Sequence, residues 1–241
     1  MASLIVPGWP APSGVRGLAT TRRGGISRSP WDSFNLGAHV GDDPQAVAAN
    51  RALLRNELPA EPLWLSQVHG TRCVDAAIAA PGVEADASFT RQRGVVCAVL
   101  TADCLPVLLC DDQATVVGIA HAGWRGLAAG VIEATVAAMG EPGMRLMAWL
   151  GPAIGPQAFE VGGEVRKIFV AHDPEAANAF AMATNGKWRC DIHQLARQRL
   201  HALGIHRTTS ADSCSVADAK QFFSYRRDGV TGRMASLIWL E

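Results

Sequence analysis

Between residues 63 and 122 the chain lays down five short apolar or alternating runs: LWLSQVH, TRCVDAAI, VVCAVLT, PVLLCD and TVVGIAHA. Each has strand length and is bounded by turn residues, and no helical periodicity separates one from the next. Strands that arrive in runs do not wind into alternating strand–helix units with one parallel sheet. The pattern therefore predicts an α+β domain of layered mixed sheets rather than a Rossmann fold. No G-x-G-x-x-G or Walker sequence contradicts this.

Around that block the remaining elements have recognisable ends. Asp43 and Pro44 offer an N-cap and a first-turn proline for a helix through about Leu58, with Val47, Leu54 and Leu58 on one side. A second helix is expected from about Trp124 to Met139, burying Leu127, Val131, Ala134 and Ala138. MRLMAWLG reads as a buried strand. Helices follow around 162–172 and 191–203, the latter capped by Asp191, apolar at Ile192, Leu195, Leu200 and Leu203, and ended by Gly204. RTTSADSC and RMASLIWL read as closing strands. The segment TTRRGGISRSPWDSFNLGAHVGDD is rich in Gly and Ser and reads as a long irregular loop, a length that goes with function. No repeat, low-complexity tract or linker divides the chain, so residues 1–241 read as a single domain.

Lys+Arg and Asp+Glu balance at 22 each, which argues against electrostatic capture of nucleic acid. Arg22, Arg23 and Arg28, spaced by Gly and Ser, suit at most a small anion. MASLIVPGWP lacks the basic start of a signal peptide, and no apolar run reaches membrane-spanning length, so a cytoplasmic location is expected and no membrane partner. There the six cysteines should be reduced, and no C-x-x-C pair is present to build a zinc ribbon.

Three metal-capable side chains fall at ends of the apolar runs: His69 in SQVHG, Cys104 in TADCLP and His121 in AHAGWRG. Their spacing fits no zinc finger, but a site assembled from several strand ends does not need close spacing. Two imidazoles and one thiolate form a catalytic zinc set that leaves a fourth position open to water or an anionic oxygen. Singly, each residue reads equally well as a packed core side chain. Cys97 and Cys110, inside apolar runs, are read as core. His121 precedes a helix whose first N–H groups favour an anion, Gly123 permits close approach, and Arg125 offers a fork for phosphate or carboxylate. His39, in the long loop, is within reach of a pocket there.

The blocks QVHG, TADCLPVLL and AHAGWRGL occur in this order, and NLGAHVGDD, GPAIGPQAFEVG and FFSYRRDGVTGR flank them. From about Thr20 onward the chain resembles the bacterial purine nucleoside phosphorylase family, also called laccase-domain, polyphenol oxidase or peptidoglycan editing factor proteins. The resemblance implies an α/β/β/α sandwich similar to cytotoxic necrotizing factor-type deamidases. It implies one metal, zinc or in some members copper, held by His69, Cys104 and His121. It also implies phosphorolysis of adenosine, inosine, guanosine and methylthioadenosine, with adenosine deamination. Purine nucleoside and phosphate are then the partners, with Asn35, His39, Gly123 and Arg125 as substrate-side candidates. A blue multicopper oxidase needs H-x-H pairs that are absent here. A copper-loaded polyphenol oxidoreductase, a Cys104–His121 thiol hydrolase acting on peptidoglycan precursors, and a non-catalytic binding protein are the alternatives.

Overall fold

The structure is a computed structural model describing residues 3–241. In chain order the elements are β1 (Leu4–Ile5), β2 (Val15–Thr20), α1 (Pro44–Arg55), β3 (Cys73–Asp75), β4 (Ala87–Thr90), β5 (Val96–Thr101), β6 (Leu105–Asp111) and β7 (Val117–Ala122). They continue with α2 (Trp124–Ala129), α3 (Val131–Met139), β8 (Leu146–Leu150), β9 (Glu160–Val161), α4 (Gly163–His172), β10 (Phe180–Met182) and β11 (Trp188–Cys190). The last are α5 (Ile192–Ala202), β12 (Arg207–Ser210), α6 (Tyr225–Asp228) and β13 (Met234–Leu240).

Strands outnumber helices and form mixed sheets, as the runs predict. A six-stranded sheet has the order β12-β8-β6-β7-β4-β3, with β12–β8 and β3–β4 parallel and the other pairs antiparallel. A four-stranded antiparallel sheet has the order β1-β2-β13-β5, and a three-stranded one the order β10-β11-β9. Alternation along each strand divides the core. Leu108, Ile119, Trp149 and Ile238 meet between the two larger sheets. Leu109 and Leu150 turn the other way, toward Leu127, Ile132 and Leu200 of the helices. Leu237 faces Phe34, Leu36 and Leu54 on the outer side of the four-stranded sheet. Covered on both faces, β5, β6, β7, β8 and β13 are buried along their whole length, which explains why they read as continuous apolar runs.

Local chemistry sets the helix ends. Asp43 accepts the Gln45 N–H and Asp191 the Gln194 N–H, as predicted. The helix expected over 124–139 is instead two helices, because Gly130 has φ 99° and turns the chain through the left-handed region. Beyond the break the buried face is Ile132, Thr135, Val136 and Met139, while Ala134 and Ala138 are only half-buried. LWLSQVH is not a regular strand. It makes isolated bridges only, Leu63 to Cys97 and Ser66 to Glu84. RTTSADSC is a strand only over β12, and β2 and β4 were not among the predicted strands. All six cysteines are free. Among the described residues no helix is long and apolar enough to cross a membrane.

Candidate metal centre and cavity

Topology explains how residues far apart in sequence meet. β6 and β7 are antiparallel neighbours, so the start of β6 lies beside the end of β7, and Pro106 pairs with His121. Cys104 sits in the turn where the chain leaves β5 in one sheet and enters β6 in the other, next to Asp103 at φ 91°. His69 arrives on an extended segment tied to β5 by a side chain. The Gln67 amide donates to Leu100 O at 2.9 Å and accepts the Leu100 N–H at 2.7 Å, standing in for ladder bonds. His69 then adopts φ 61°, ending the extended run and turning its ring toward Cys104.

One donor atom from each of His69, Cys104 and His121 lies within 4.8 Å of the others. This is the one group of three or more such donors among the described residues. His69 is exposed, Cys104 half-buried and His121 buried, so the cluster opens to solvent on the His69 side. The two imidazole centroids are 4.8 Å apart, and His69 Nε2 stands 3.8 Å from Cys104 Sγ.

Asp86, a residue the sequence reading passed over, organises the cluster. It is fully buried just before β4. Its carboxylate accepts the backbone N–H groups of Val68, His69 and Gly70 at 3.1, 2.9 and 2.7 Å. The same carboxylate is 2.8 Å from His121 Nδ1. With Nδ1 donating to Asp86, His121 presents Nε2 toward the cluster. Burial raises the Asp86 carboxyl, but the bond from His121 and those from the 68–70 amides outweigh it and hold it below the usual range.

Burial likewise works against a Cys104 thiolate, yet the charge and hydrogen bonds of His121, followed by those of His69, bring it down to about 6. Against the same burial, the Cys104 thiolate and Asp86 push His121 up to about 9. Gly123 supplies the necessary space. A Cβ there would stand 2.9 Å from both Cys104 Sγ and His69 Cδ2. A vacant Cβ position, a thiolate-favouring cysteine and an oriented imidazole suit a single soft or borderline cation.

The cluster lies in the wall of a cavity of about 510 Å³. His39 and Arg125 line it, as expected, and so do Arg226 and Arg233, which the sequence reading missed. Asn35 does not line it. Its side chain is fully buried and structural: Nδ2 donates to Gly37 O and Asp42, and Oδ1 accepts the N–H groups of Gly37 and Arg233. Asp103 is the one carboxylate in the lining, and both its oxygens are occupied, by Ser215 Oγ and Arg226 N. Burial, then the charges of Arg233 and Arg51, lower the pKa of His39. With Arg125, Arg226 and Arg233 against one carboxylate, the cavity has a cationic lining. The signal for Arg233 was the arginine directly ahead of the last apolar run.

A family model described as multi-copper polyphenol oxidoreductase laccase matches residues 16–241. The chain belongs to this family. The resemblance read from QVHG, TADCLPVLL and AHAGWRGL is borne out. Among laccase-family relatives, "Purine nucleoside phosphorylase PA4543" of Pseudomonas aeruginosa is 53% identical over 242 residues, covering 100% of both chains. "Purine nucleoside phosphorylase YfiH" of Escherichia coli is 52% identical over 244 residues, again covering 100% of both. Neisseria meningitidis protein NMB0706 superposes with a TM-score of 0.96 at 50% identity, covering 99% of each chain. The multi-copper wording of the family description contrasts with the single donor cluster found among the described residues.

Proposed function

We propose that this laccase-family chain, acting as one domain over 1–241 in the cytoplasm, is a zinc-dependent purine nucleoside phosphorylase. Its substrates are adenosine, inosine, guanosine and methylthioadenosine, and adenosine is also deaminated at the same site. The observation that carries this reading is a cavity lined both by the His69–Cys104–His121 cluster and by Arg125, Arg226 and Arg233. The names of the relatives support nucleoside and phosphate as substrates. The likeness to cytotoxic necrotizing factor-type deamidases belongs to the same reading and rests on the family resemblance.

Zinc held by His69, Cys104 and His121 would supply a Lewis acid, and copper is the alternative ion for the same donors. The residues of the chain provide the rest. The cationic lining draws phosphate into the cavity, and its attack at ribose C1′ breaks the bond to the purine and yields ribose 1-phosphate and free base. Trp124, Phe159 and Tyr225 line the same cavity and supply apolar surface for the base. Gly123 keeps the space between His69 and Cys104 clear.

Phosphate-dependent release of hypoxanthine from inosine, measured beside metal analysis of protein purified without added metal, tests the proposal. Metal-loaded protein that releases no base from any of the four nucleosides rejects it. The low Cys104 pKa favours a second reading, a thiol hydrolase with Cys104 as nucleophile and His121 as base. His69→Ala separates the two. It abolishes metal content and turnover under the zinc reading, whereas hydrolase activity survives it under the thiol reading.

A further inference from the structure

Within the phosphorylase reading, on which this step rests, we infer that inorganic phosphate is seated by Arg233 inside the cavity, beside His39, and not by Arg125 on its rim. Arg233 is half-buried and makes no ion pair among the described residues. Its Nη1 donates to the carbonyl oxygens of Thr231 and Gly232, both at 3.0 Å. Among the described residues no protein acceptor takes up Nε or Nη2. Those two nitrogens form the edge of the guanidinium that grips two oxygens of a phosphate side by side.

The arginine is also held in place. Its backbone N–H donates to Asn35 Oδ1 at 2.8 Å, and its carbonyl accepts the Leu36 N–H at 3.1 Å. Its stem runs so close to Gly37 that a Cβ there would stand 2.8 Å from Arg233 Cγ. A guanidinium fixed in this way loses little freedom on binding an anion. The one carboxylate in the cavity lining, Asp103, spends its oxygens on Ser215 Oγ and Arg226 N and makes no ion pair with Arg233. Arg51, whose guanidinium donates to Leu36 O on the same loop, adds to the positive field. Arg125 is different. It is exposed and stacks on its neighbour Trp124, 4.5 Å from the ring centroid, where solvent screens its charge.

The test is calorimetric titration of inorganic phosphate into the metal-loaded full chain and into Arg233→Gln, Arg233→Lys and Arg125→Gln. Losing a charge-assisted, two-oxygen contact should weaken phosphate binding about ten- to a hundredfold in Arg233→Gln. Arg233→Lys keeps the charge but not the fork and should fall between Arg233→Gln and the parent. Arg125→Gln should stay within about threefold of the parent, as expected of an exposed charge. Metal content and melting temperature are followed in each, and Arg233→Lys carries the test if Arg233→Gln does not fold. Loss of phosphate binding in Arg125→Gln but not in the Arg233 variants overturns the inference, as does a parent that binds no phosphate. Phosphate binding that depends on Arg233 without cleavage of any nucleoside upholds the inference while rejecting the phosphorylase reading.

Discussion

Asp86 Oδ1 lies 2.8 Å from His121 Nδ1 and also accepts the backbone N–H of His69 at 2.9 Å. One buried anion thus orients both imidazoles of the cluster, one through its ring and the other through its main chain. Asp86→Asn should weaken both holds, since it removes the charge they draw on and its NH2 group must face N–H donors at whichever oxygen it replaces. Metal affinity should fall about 10–100-fold, as for other outer-shell partners. Stability should fall by about 1.5–3 kcal/mol for each charged hydrogen bond left unmade. Competitive chelator titration and urea unfolding measure the two, and an unchanged metal affinity would remove Asp86 from this role.

Acid should expose the same dependence. A carboxyl held below its ordinary value of 3.8 contributes stability that is fully present above that value and is lost as pH falls through its folded-state value. In metal-free protein the stability advantage of the parent over Asp86→Asn should therefore shrink on acidification below about pH 4. Urea midpoints for both proteins across that range check the prediction.

Gly123→Ala places a methyl group 2.9 Å from Cys104 Sγ and His69 Cδ2. Gly123 has φ −62° and ψ 156°, a conformation open to alanine, so the backbone carries no strain and the clash falls on the donors alone. The expected result is a folded protein with its metal content largely lost, read by elemental analysis and circular dichroism. Full metal loading in this variant would mean that the ion does not need the space beside Gly123.

Cys104 should announce its low pKa in metal-free protein. With a value of about 6, its alkylation by iodoacetamide should climb with pH and level off above about pH 7, where an ordinary thiol is still climbing. Burial pushes Cys73, Cys97, Cys110 and Cys190 up to about 12, so they stay silent. His121→Ala should move the Cys104 profile upward, and zinc should suppress the reaction. Peptide mass mapping at Cys104 gives the rate.

The cluster was legible because its three residue types stood at ends of apolar runs, and strand ends of one layered fold converge. Asp43 and Asp191 were legible because a cap acts within three residues. Asp86 was not, since a single acid in EADAS looks like a solvent-facing turn until the surrounding amides are seen to point at it. Asn35 was read as a pocket residue because its loop carries His39, whereas its side chain turns inward to hold that loop. Gly130 was read as an interior helix residue, its positive φ being invisible without the chain on either side. LWLSQVH has the composition of a strand, but the Gln67 side chain occupies the partner that a ladder would have used.

In the four-stranded sheet β13 lies between β2 and β5, and Arg233 directly precedes it. During translation those two flanking strands emerge long before the segment that joins them, so a ribosome paused ahead of residue 234 presents two unzipped apolar edges. The sheet and the cationic corner of the cavity are thus completed in one late event, and a nascent chain halted before it should bind chaperones rather than phosphate.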